Sequence, residues 1–376
     1  MGHSPRYRVE QLAWRDIVVA EVALPKRTLV VTLGLGSGLS RRPGDAPGRI
    51  WAIGDRGANL KIPDAVERYG LEHLEPLRGI DGAKVLPLPG CGPTLCELQI
   101  TGEAVELVRT LPLLAAGQPI SGRPPVGGTD AAMEPTYGIE GERLAGDPDG
   151  ADTEGLAALA DGTFRVADEY GPSILSVGLD GEVLERWTPK GQRLPGAAAP
   201  VRDVLPASAA RRRLNRGFEG IAATPDGETL FVAFQSALEG DDPDAALIWA
   251  LDARTGQRKA EFLYPFDRPK RFRRDAAAGK VSKRDLKICD LAWAGPERLL
   301  VLERISRSAK IYSVALRGEI LEKELVFDID DAPEIAADLE GMTLTSDREL
   351  ILVNDNDFGT EGVETAFFRV TFEQPI

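Results

Sequence analysis

A short pattern, Glu-Gly followed by an apolar residue, occurs three times in this 376-residue chain. The copies are Glu154-Gly155-Leu156, Glu219-Gly220-Ile221 and Glu340-Gly341-Met342. In each copy an Asp follows the Glu by seven residues, and an apolar run then leads to a polar cluster. This predicts a strand that starts at the Glu, a tight turn at the Asp, and a second strand that returns to the polar cluster. Such repetition is typical of a fold built from copies of one unit.

The positions of the turns determine which residues face each other across each predicted hairpin. A weaker fourth copy begins at Asp290-Leu291-Ala292, where Ala replaces the Gly. Facing carboxylates repel each other unless a cation or an Arg lies between them. The open ends of the hairpins are therefore candidate cation sites. The predicted facing pairs are Glu154 with Glu169, Glu340 with Asp355, Asp290 with Glu303, and Glu219 with Phe234, which adjoins Gln235.

Two further strands follow most of the hairpins, for example at 174–179 and 182–187. Four-stranded units predict an all-β fold, a single β-propeller of about six blades that forms one domain over residues 1–376. The last unit is short by one strand, and we expect an N-terminal strand within residues 7–33 to complete it and close the ring. The predicted units begin near residues 30, 83, 152, 217, 288 and 339, with insertions at 112–137, 188–216 and 265–287.

Propeller geometry would bring the start of each first strand and the end of each second strand to one mouth of the central channel. Oxygen ligands without Cys or His suit calcium or magnesium. The predicted metal ligands are Glu154, Glu169, Glu219, Glu340 and Asp355, with Asp55, Asp168 and Asp290 behind them. A structural alternative remains open, in which the glutamates cap strand ends or pair with Arg56, Arg216 or Arg304.

Two other charged segments allow a functional or a structural interpretation. Residues 147–152 have alternating Asp residues, as in a calcium loop, but they lack the bidentate Glu of an EF-hand, and a solvated turn explains them equally well. The insertions at 188–216 and 265–287 are rich in Arg and Lys. They form either solvated loops or a rim that attracts an anionic substrate. Their basic residues are Arg211, Arg212, Arg213, Arg216, Lys270, Arg271, Arg273, Arg274, Lys283 and Arg284.

The charge and the Cys and His content argue against several classes of function. The net charge is −14, from 45 basic and 59 acidic residues, which does not suit nonspecific nucleic-acid binding. The two His and three Cys include no Cys-x-x-Cys pair, which argues against a zinc site. Cys91 and Cys96 either form a disulfide or remain thiols.

The chain has no run of about 18 apolar residues, so no membrane span is expected. No apolar signal core follows its first residues, which predicts a cytoplasmic protein as the sequence stands. A periplasmic or secreted protein whose signal peptide had been removed would look the same. We expect a monomer that binds a small anionic ester and binds neither nucleic acid nor membrane.

Four groups of motifs follow one another along the chain. They are Ser37-Gly38-Leu39 with Asp55-Arg56-Gly57, Asp152-Thr153-Glu154-Gly155-Leu156 with Asp168-Glu169-Tyr170-Gly171, Asn215-Arg216-Gly217-Phe218-Glu219-Gly220-Ile221, and Asp338-Leu339-Glu340-Gly341-Met342 with Asn354-Asp355-Asn356-Asp357. In this order they resemble the phytase-like domain family, described as "esterase-like activity of phytase". The resemblance covers residues 30–373. It implies a β-propeller, one or more calcium ions, and hydrolysis of phosphate esters; most relatives are exported, and the lack of a signal peptide here departs from that.

The carboxylates and the resemblance together lead to a hypothesis of metal-assisted hydrolysis. One or two calcium ions would hold the phosphate oxygens while a water attacks. Glu154, Glu169 or Glu219 would act as the base. The alternatives are a lactonase or other ester hydrolase on a metal-binding propeller, and a noncatalytic binding propeller stabilised by calcium. The residues expected to clamp the anion through bidentate hydrogen bonds are Arg56, Arg216 and Arg304.

Overall fold

Nearly all of the regular structure in this protein is β-strand. A computed structural model describes residues 7–125 and 133–376. Its α-helices in these ranges are α1 (Ile62–Glu67) and α2 (Arg273–Ala278). Short 3-10 helices occur at Glu72–Leu77, Ala207–Arg211, Pro269–Arg271, Lys283–Asp285, Ile329–Asp331 and Asp357–Gly359. No helix in the described ranges is long and apolar enough to cross a membrane.

The strands are numbered in chain order. The first group is β1 (Tyr7–Leu12), β2 (Val18–Ala23), β3 (Thr28–Thr32), β4 (Gly38–Ser40), β5 (Arg49–Ile53), β6 (Leu60–Lys61), β7 (Lys84–Val85), β8 (Thr94–Thr101), β9 (Ala104–Pro112), β10 (Leu114–Ala115), β11 (Gln118–Pro119) and β12 (Thr136–Tyr137). The second group is β13 (Thr153–Ala158), β14 (Phe164–Asp168), β15 (Ser173–Val177), β16 (Val183–Pro189), β17 (Val201–Leu205), β18 (Phe218–Ala223), β19 (Thr229–Phe234), β20 (Ala245–Asp252) and β21 (Arg258–Pro265). The third group is β22 (Lys287–Gly295), β23 (Arg298–Arg304), β24 (Ala309–Ala315), β25 (Lys323–Asp328), β26 (Leu339–Ser346), β27 (Glu349–Asn354) and β28 (Phe367–Phe372).

Five sheets contain most of the described strands. From the first strand outward they are sheet 1 (β4-β5-β8-β9), sheet 2 (β13-β14-β15-β16-β17), sheet 3 (β18-β19-β20-β21), sheet 4 (β22-β23-β24-β25) and sheet 5 (β26-β27-β28-β1). Neighbouring strands are antiparallel, except that β17 runs parallel to β16. The first strands pack side by side in sheet order, and β26 of sheet 5 also packs against β4 of sheet 1. Up-and-down sheets arranged in this way are the blades of a β-propeller.

Burial explains why the first strands are so apolar. Every residue of β13 is buried, because neighbouring sheets cover both of its faces. The outer strand β9 has many exposed residues, because it lies at the rim. A separate apolar cluster fills each interface between neighbouring sheets, including the interface between sheets 5 and 1. Full burial of one large apolar side chain in such a cluster stabilises the fold by about 1.5–3 kcal/mol.

The described ranges contain five sheets of four or more strands, where the sequence predicts about six blades. The predicted units near residues 30 and 83 form one sheet, since β5 pairs with β8. Residues 54–93 separate these two strands in sequence. This excursion contains α1, β6 and β7 and resembles a boundary between units. Among the described strands, three smaller sheets lie outside the five: β2-β3, β10-β11 and β12-β7-β6.

The N-terminal strand completes the last sheet, as the sequence predicts. β1 pairs antiparallel with β28 and forms the outermost strand of sheet 5, with Tyr7 opposite Phe372. Tyr7 also packs edge-on against the Phe327 ring of sheet 4, with ring centroids 4.7 Å apart. The first described strand and the last strand are thus joined in one sheet. Cys91, Cys96 and Cys289 are free thiols, so the first two form no disulfide.

Candidate functional site

A β-bulge interrupts the first strand of four sheets near its start. In sheet 2, Thr153 pairs with Asp168 and Gly155 pairs with Ala167, so Glu154 has no partner residue across the hairpin. Sheets 3, 4 and 5 have the same irregularity at Glu219-Gly220, Cys289 and Glu340. A bulge adds an unpaired residue and re-aims its side chain. Three repeated glutamates therefore leave the regular alternation of the strand at the same point.

The bulges change the facing pairs that the sequence predicts. The partner of Asp168 is Thr153, where Glu154 was expected opposite Glu169. Likewise, Leu339 pairs with Asn354, Phe218 with Phe234, and Asp290 with Leu302. The predicted pairs were obtained by counting from the turn along both strands, which assumes an uninterrupted hydrogen-bond ladder. Each unpaired residue of a bulge shifts the strand register for the residues on its far side. The sequence signal for the bulge is the Gly that follows each Glu.

These glycines allow neighbouring first strands to approach closely. A Cβ atom on Gly155 would overlap the carbonyl oxygen of Glu219, and one on Gly220 would overlap the backbone nitrogen of Leu291. A Cβ on Gly38 would lie 3.0 Å from the Cα of Gly155. The Glu-Gly repeat thus combines a re-aimed carboxylate with a tight contact between sheets.

A cavity of about 290 Å³ lies where the first strands of the sheets start and the second strands end. It brings together eight of the residues that the sequence identifies: Asp55, Arg56, Glu154, Glu169, Glu219, Arg304, Glu340 and Asp355. Its other lining residues were not among the predicted site residues. These are Asn59, Lys61, Lys84, Asn215, Gln235, Lys287, Ser306, Asp338 and Asp357.

Asp168 was predicted as a metal ligand, but its buried carboxylate is used within sheet 2. It forms an ion pair with Arg186 at 2.6 Å and accepts a hydrogen bond from the Ser173 hydroxyl at 2.6 Å. It also accepts from the backbone N–H of Asp152 at 2.8 Å. Asp168 therefore holds the end of the hairpin and does not line the cavity.

Asp290 occupies the position that Gly155 and Gly341 occupy in their sheets, immediately after the bulge. The alignment of Asp290 with the repeated Glu was therefore wrong by one residue. Its fully buried carboxylate accepts hydrogen bonds from the backbone N–H groups of Leu291 at 2.8 Å and Met342 at 2.7 Å. The hydrogen bond from Met342 links sheet 5 to Asp290 of sheet 4. Asp290 does not line the cavity.

Three carboxylates come closest together. One oxygen each of Asp55, Asp152 and Glu154 lies within 4.8 Å of the others, the one such group found among the described residues. Asp152 is absent from the predicted ligand set. Its signal is the spacing Asp-x-Glu-Gly, which recurs with Asp338 and Glu340.

Several of these carboxylates have no partner. Glu154 receives no hydrogen bond from any described residue, and one buried oxygen each of Glu169 and Glu219 also lacks a partner. Burial, followed by the charge of Asp152, raises the pKa of Glu169 to about 7. Burial and Asp152 likewise raise the pKa of Asp55 to about 8. Burial and Glu219 raise the pKa of Glu154 well above its ordinary value. A divalent cation would relieve both the desolvation and the repulsion.

The two arginines in the cavity are held by internal partners. Arg56 forms an ion pair with Glu134 and donates a hydrogen bond to the Asn215 side chain at 2.9 Å. Arg304 forms ion pairs with Asp338 and Glu340. The structural alternative, in which a glutamate of the repeat pairs with an arginine, therefore applies to Glu340. The third predicted clamp residue, Arg216, is partly buried, donates to the Arg284 carbonyl at 3.5 Å, and does not line the cavity.

Comparison with known proteins identifies the family. The model of the phytase-like family, described as "Esterase-like activity of phytase", matches residues 32–358. This chain belongs to the phytase-like family. A relative from Arthroderma benhamiae, named only as an uncharacterized secreted protein, is 30% identical over 53% of this chain and 42% of its own length. The chain thus spans less than half of that relative.

The solved structures that match this chain are distant in sequence. The PQQ-bound aldose sugar dehydrogenase of Streptomyces coelicolor is 13% identical, with a TM-score of 0.38 over 98% of this chain and 99% of that chain. The virginiamycin B lyase of Staphylococcus aureus is 12% identical, with a TM-score of 0.36 over 98% of this chain and 100% of that chain.

Backbone strain occurs at the mouth of the cavity in this phytase-like protein. Asn215, Asp338 and Asp357 have φ values of 54°, 62° and 47°, in the left-handed region that residues with a Cβ rarely adopt. All three line the cavity. Strained residues of this kind cluster at ligand sites, where the surrounding structure holds them in place.

The remaining charged segments are mostly paired within the protein. Asp147 accepts hydrogen bonds from the backbone and hydroxyl of Ser121, and Asp149 accepts from Ala198, so residues 147–152 form a turn held by protein donors. In the insertions, Arg211 pairs with Asp241 at 2.8 Å. Ion pairs also join Arg271 to Asp267, Arg273 to Asp331, and Lys283 to Asp244. These contacts favour the structural interpretation of both segments.

Proposed function

We propose that this protein is a calcium-dependent hydrolase of phosphate esters that acts in the carboxylate cavity. The main support is the convergence of Asp55, Asp152 and Glu154 beside the unpartnered oxygens of Glu169 and Glu219. Calcium takes six to eight oxygen ligands and accepts irregular geometry. Membership of a family described by an esterase-like activity of phytase also supports hydrolysis.

Asp55, Asp152 and Glu154 would hold the ion, with Glu219 as a further ligand. Their oxygen-only chemistry fits a hard cation, and their mutual repulsion makes the ion-free cluster unfavourable. A bound calcium ion supplies positive charge that attracts phosphoryl oxygens. Arg56 and Arg304 keep Glu134, Asp338 and Glu340 paired, which preserves the shape of the cavity.

Glu169 is the residue that we assign as general base. Its free oxygen can accept the proton of the water that attacks phosphorus. The bond from phosphorus to the ester oxygen breaks on the opposite side, and the departing oxygen takes a proton from solvent. A base works best when its pKa lies near the working pH, and the pKa of Glu169 is raised to about 7. The neighbouring Tyr170 is fixed by a hydrogen bond from its hydroxyl to the Gly122 carbonyl at 2.6 Å, which restrains this end of the hairpin.

We also propose that the five sheets close into a single five-bladed ring with the cavity at the mouth of its central channel. The packing of β26 against β4 and the apolar cluster between sheets 5 and 1 support closure. We propose that the protein is monomeric. The expectation of a cytoplasmic location has no support from the comparisons, whereas the secreted Arthroderma benhamiae relative favours the secreted alternative.

Hydrolysis assays with a matched pair of variants test the proposed activity. The chelator-treated protein is assayed on a phosphomonoester, a phosphodiester and a lactone, with and without added calcium. We expect calcium-dependent cleavage of a phosphate ester. Glu169→Gln should lower kcat by about 100-fold, a typical contribution of a general base. Glu324→Gln, an exposed change on β25 outside the cavity, should leave kcat unchanged.

The same assays separate the alternatives. Cleavage of the lactone alone would replace the phosphatase proposal with a lactonase. Calcium binding without turnover of any of the three substrates would favour a noncatalytic binding propeller. Phosphate-ester cleavage that persists fully in Glu169→Gln would refute the assignment of the base.

A further inference from the structure

Two lysines line the cavity without a partner. Lys84 lies on β7 and Lys287 begins β22, and both side chains are partly buried. The ammonium group of neither lysine forms a hydrogen bond or an ion pair with any residue in the described ranges. The other cations in the lining are paired: Arg56 with Glu134, Arg304 with Glu340, and Lys61 with Glu361 at 3.1 Å. Lys84 and Lys287 are therefore the cations in this lining that remain available to a ligand.

An unpaired ammonium group in a partly buried position is unfavourable. Burial and the nearby Arg56 lower the pKa of Lys84, and burial and Arg304 lower the pKa of Lys287. An anionic ligand would reverse this penalty by a charge-assisted hydrogen bond. A bound anion would therefore stabilise the charged form of both lysine side chains.

The charge of the cavity requires such cations if an anion is to enter. Its lining has eight carboxylates and five cationic side chains. One divalent ion would not fully offset the excess of ionised carboxylates. A phosphate group would still be repelled unless cations contact it directly. Internal ion pairs already occupy the two arginines, so Lys84 and Lys287 are the cations that can contact a phosphate group.

The two lysines lie in different parts of the cavity. The charges that act on Lys84 are those of Arg56, Glu134, Lys61 and Asp152, on the side of sheets 1 and 2. The charges that act on Lys287 include those of Arg304 and Glu219, on the side of sheets 3 and 4. A ligand held by both lysines would span the carboxylate cluster and could meet its bound cation.

We propose that Lys84 and Lys287 contact the anionic group of the substrate and make the site select charged esters over neutral ones. This inference rests on the proposed function, because it concerns substrate recognition in the same cavity. It replaces the predicted arginine clamp with two lysines. Nothing in the local sequence around Lys84 or Lys287 marks either residue, since each reaches the cavity only through the fold.

Binding of inorganic phosphate tests this inference directly. Phosphate is titrated calorimetrically into the calcium-saturated protein and into the variants Lys84→Met and Lys287→Met. We expect each variant to bind phosphate about tenfold more weakly, since each loses one charge-assisted contact. The matched control is Lys61→Met, which removes a lysine at the same cavity that is already paired with Glu361. It should bind phosphate within about twofold of the parent.

Calcium affinity, measured without phosphate, distinguishes recognition from a damaged fold. Removing a positive charge near carboxylates should leave calcium binding unchanged or tighter, whereas a damaged cavity would bind both ions more weakly. Lys84→Arg and Lys287→Arg keep the charge and should recover most of the phosphate affinity. If a Met variant does not fold, the corresponding Gln variant is measured in the same way.

Each outcome bears on a different claim. Phosphate affinity equal to that of the parent in both Met variants would overturn the role of the lysines and leave the hydrolase proposal intact. Phosphate binding that depends on the lysines, in a protein that cleaves no phosphate ester, would overturn the hydrolase and support anion recognition. A parent that binds no phosphate in the presence of calcium would overturn recognition by the lysines, while turnover of the phosphate esters would decide the hydrolase proposal separately.

Discussion

At the scale of single residues, identical motifs have different roles because their partners come from other sheets. Glu154 and Glu340 both open a first strand and both precede a Gly. Glu340 is neutralised by Arg304 of sheet 4, whereas Glu154 receives no hydrogen bond from any residue described. The local sequence of each motif cannot show this difference. Glu154 and Glu219 are thus the glutamates of the repeat that form no ion pair with an arginine in the described ranges.

Arg56→Lys tests whether Arg56 has a structural role. The guanidinium of Arg56 joins Glu134, Asp152 and Asn215, and Lys cannot reproduce this set of contacts. We expect the free energy of unfolding to fall by about 1–3 kcal/mol, measured by urea denaturation. The control Arg254→Lys, at an exposed turn, should change it by less than about 0.5 kcal/mol. Unchanged stability with lost hydrolysis would instead support the substrate clamp that the sequence predicts.

At the scale of the strands, the bulge and the glycine that follows it form one structural motif. The bulge turns the Glu toward the cavity, and the Gly allows the next first strand to approach. Gly220 illustrates this approach, since a Cβ there would meet the backbone of Asp290 and Leu291 in sheet 4. This bulge-glycine motif recurs because each sheet packs on its neighbour and also contributes polar groups at the end that lines the cavity.

Gly220→Ala should weaken the contact between sheets 3 and 4. The added methyl group would overlap the backbone of Leu291, so one strand must move. We expect a loss of about 1–3 kcal/mol in the free energy of unfolding, as for other overpacked sites, together with weaker calcium binding. Gly279→Ala is the control, because no atom lies within 4 Å of its added Cβ. Equal stability of the two variants in urea denaturation would contradict the close-approach argument.

The repeat allowed the strands, their common end and eight of the seventeen cavity residues to be predicted from the sequence. The apolar runs and the Glu-Gly spacing are local signals, so they can be recognised without knowledge of the fold. The division into units near residues 30 and 83 was wrong because residues 54–93 interrupt sheet 1 between β5 and β8. Asp290 was misassigned because register depends on the bulges. Lys84 and Lys287 were missed because only tertiary contacts place them in the cavity.

At the scale of the whole molecule, the cavity makes stability depend on pH in an unusual direction. Ion-paired carboxylates usually lower their pKa on folding and stabilise a protein as the pH rises. Here burial and mutual repulsion raise the pKa of Glu169 to about 7 and that of Asp55 to about 8. Between the ordinary pKa of a carboxyl group and these values, the folded state holds more protons than the unfolded state. Stability of the ion-free protein therefore falls as the pH rises through this window.

Thermal unfolding of the chelator-treated protein between pH 5 and pH 8 tests this dependence. Each proton held only by the folded state changes the free energy of unfolding by about 1.4 kcal/mol per pH unit. We expect the midpoint to fall as the pH rises without calcium, and the fall to become smaller when calcium replaces the protons. A midpoint that rises steadily over this range without calcium would show that the cavity carboxylates are already neutralised by ion pairs.

Calorimetric titration of calcium into the chelator-treated protein at pH 8 tests the central claim most directly. The parent should bind at least one ion with a Kd tighter than about 1 mM. Glu154→Gln, which removes an unpaired ligand, should weaken binding by at least about tenfold, whereas Glu324→Gln should not weaken it. Absence of calcium binding by the parent, or equal affinity in Glu154→Gln, would contradict a metal centre built from these carboxylates.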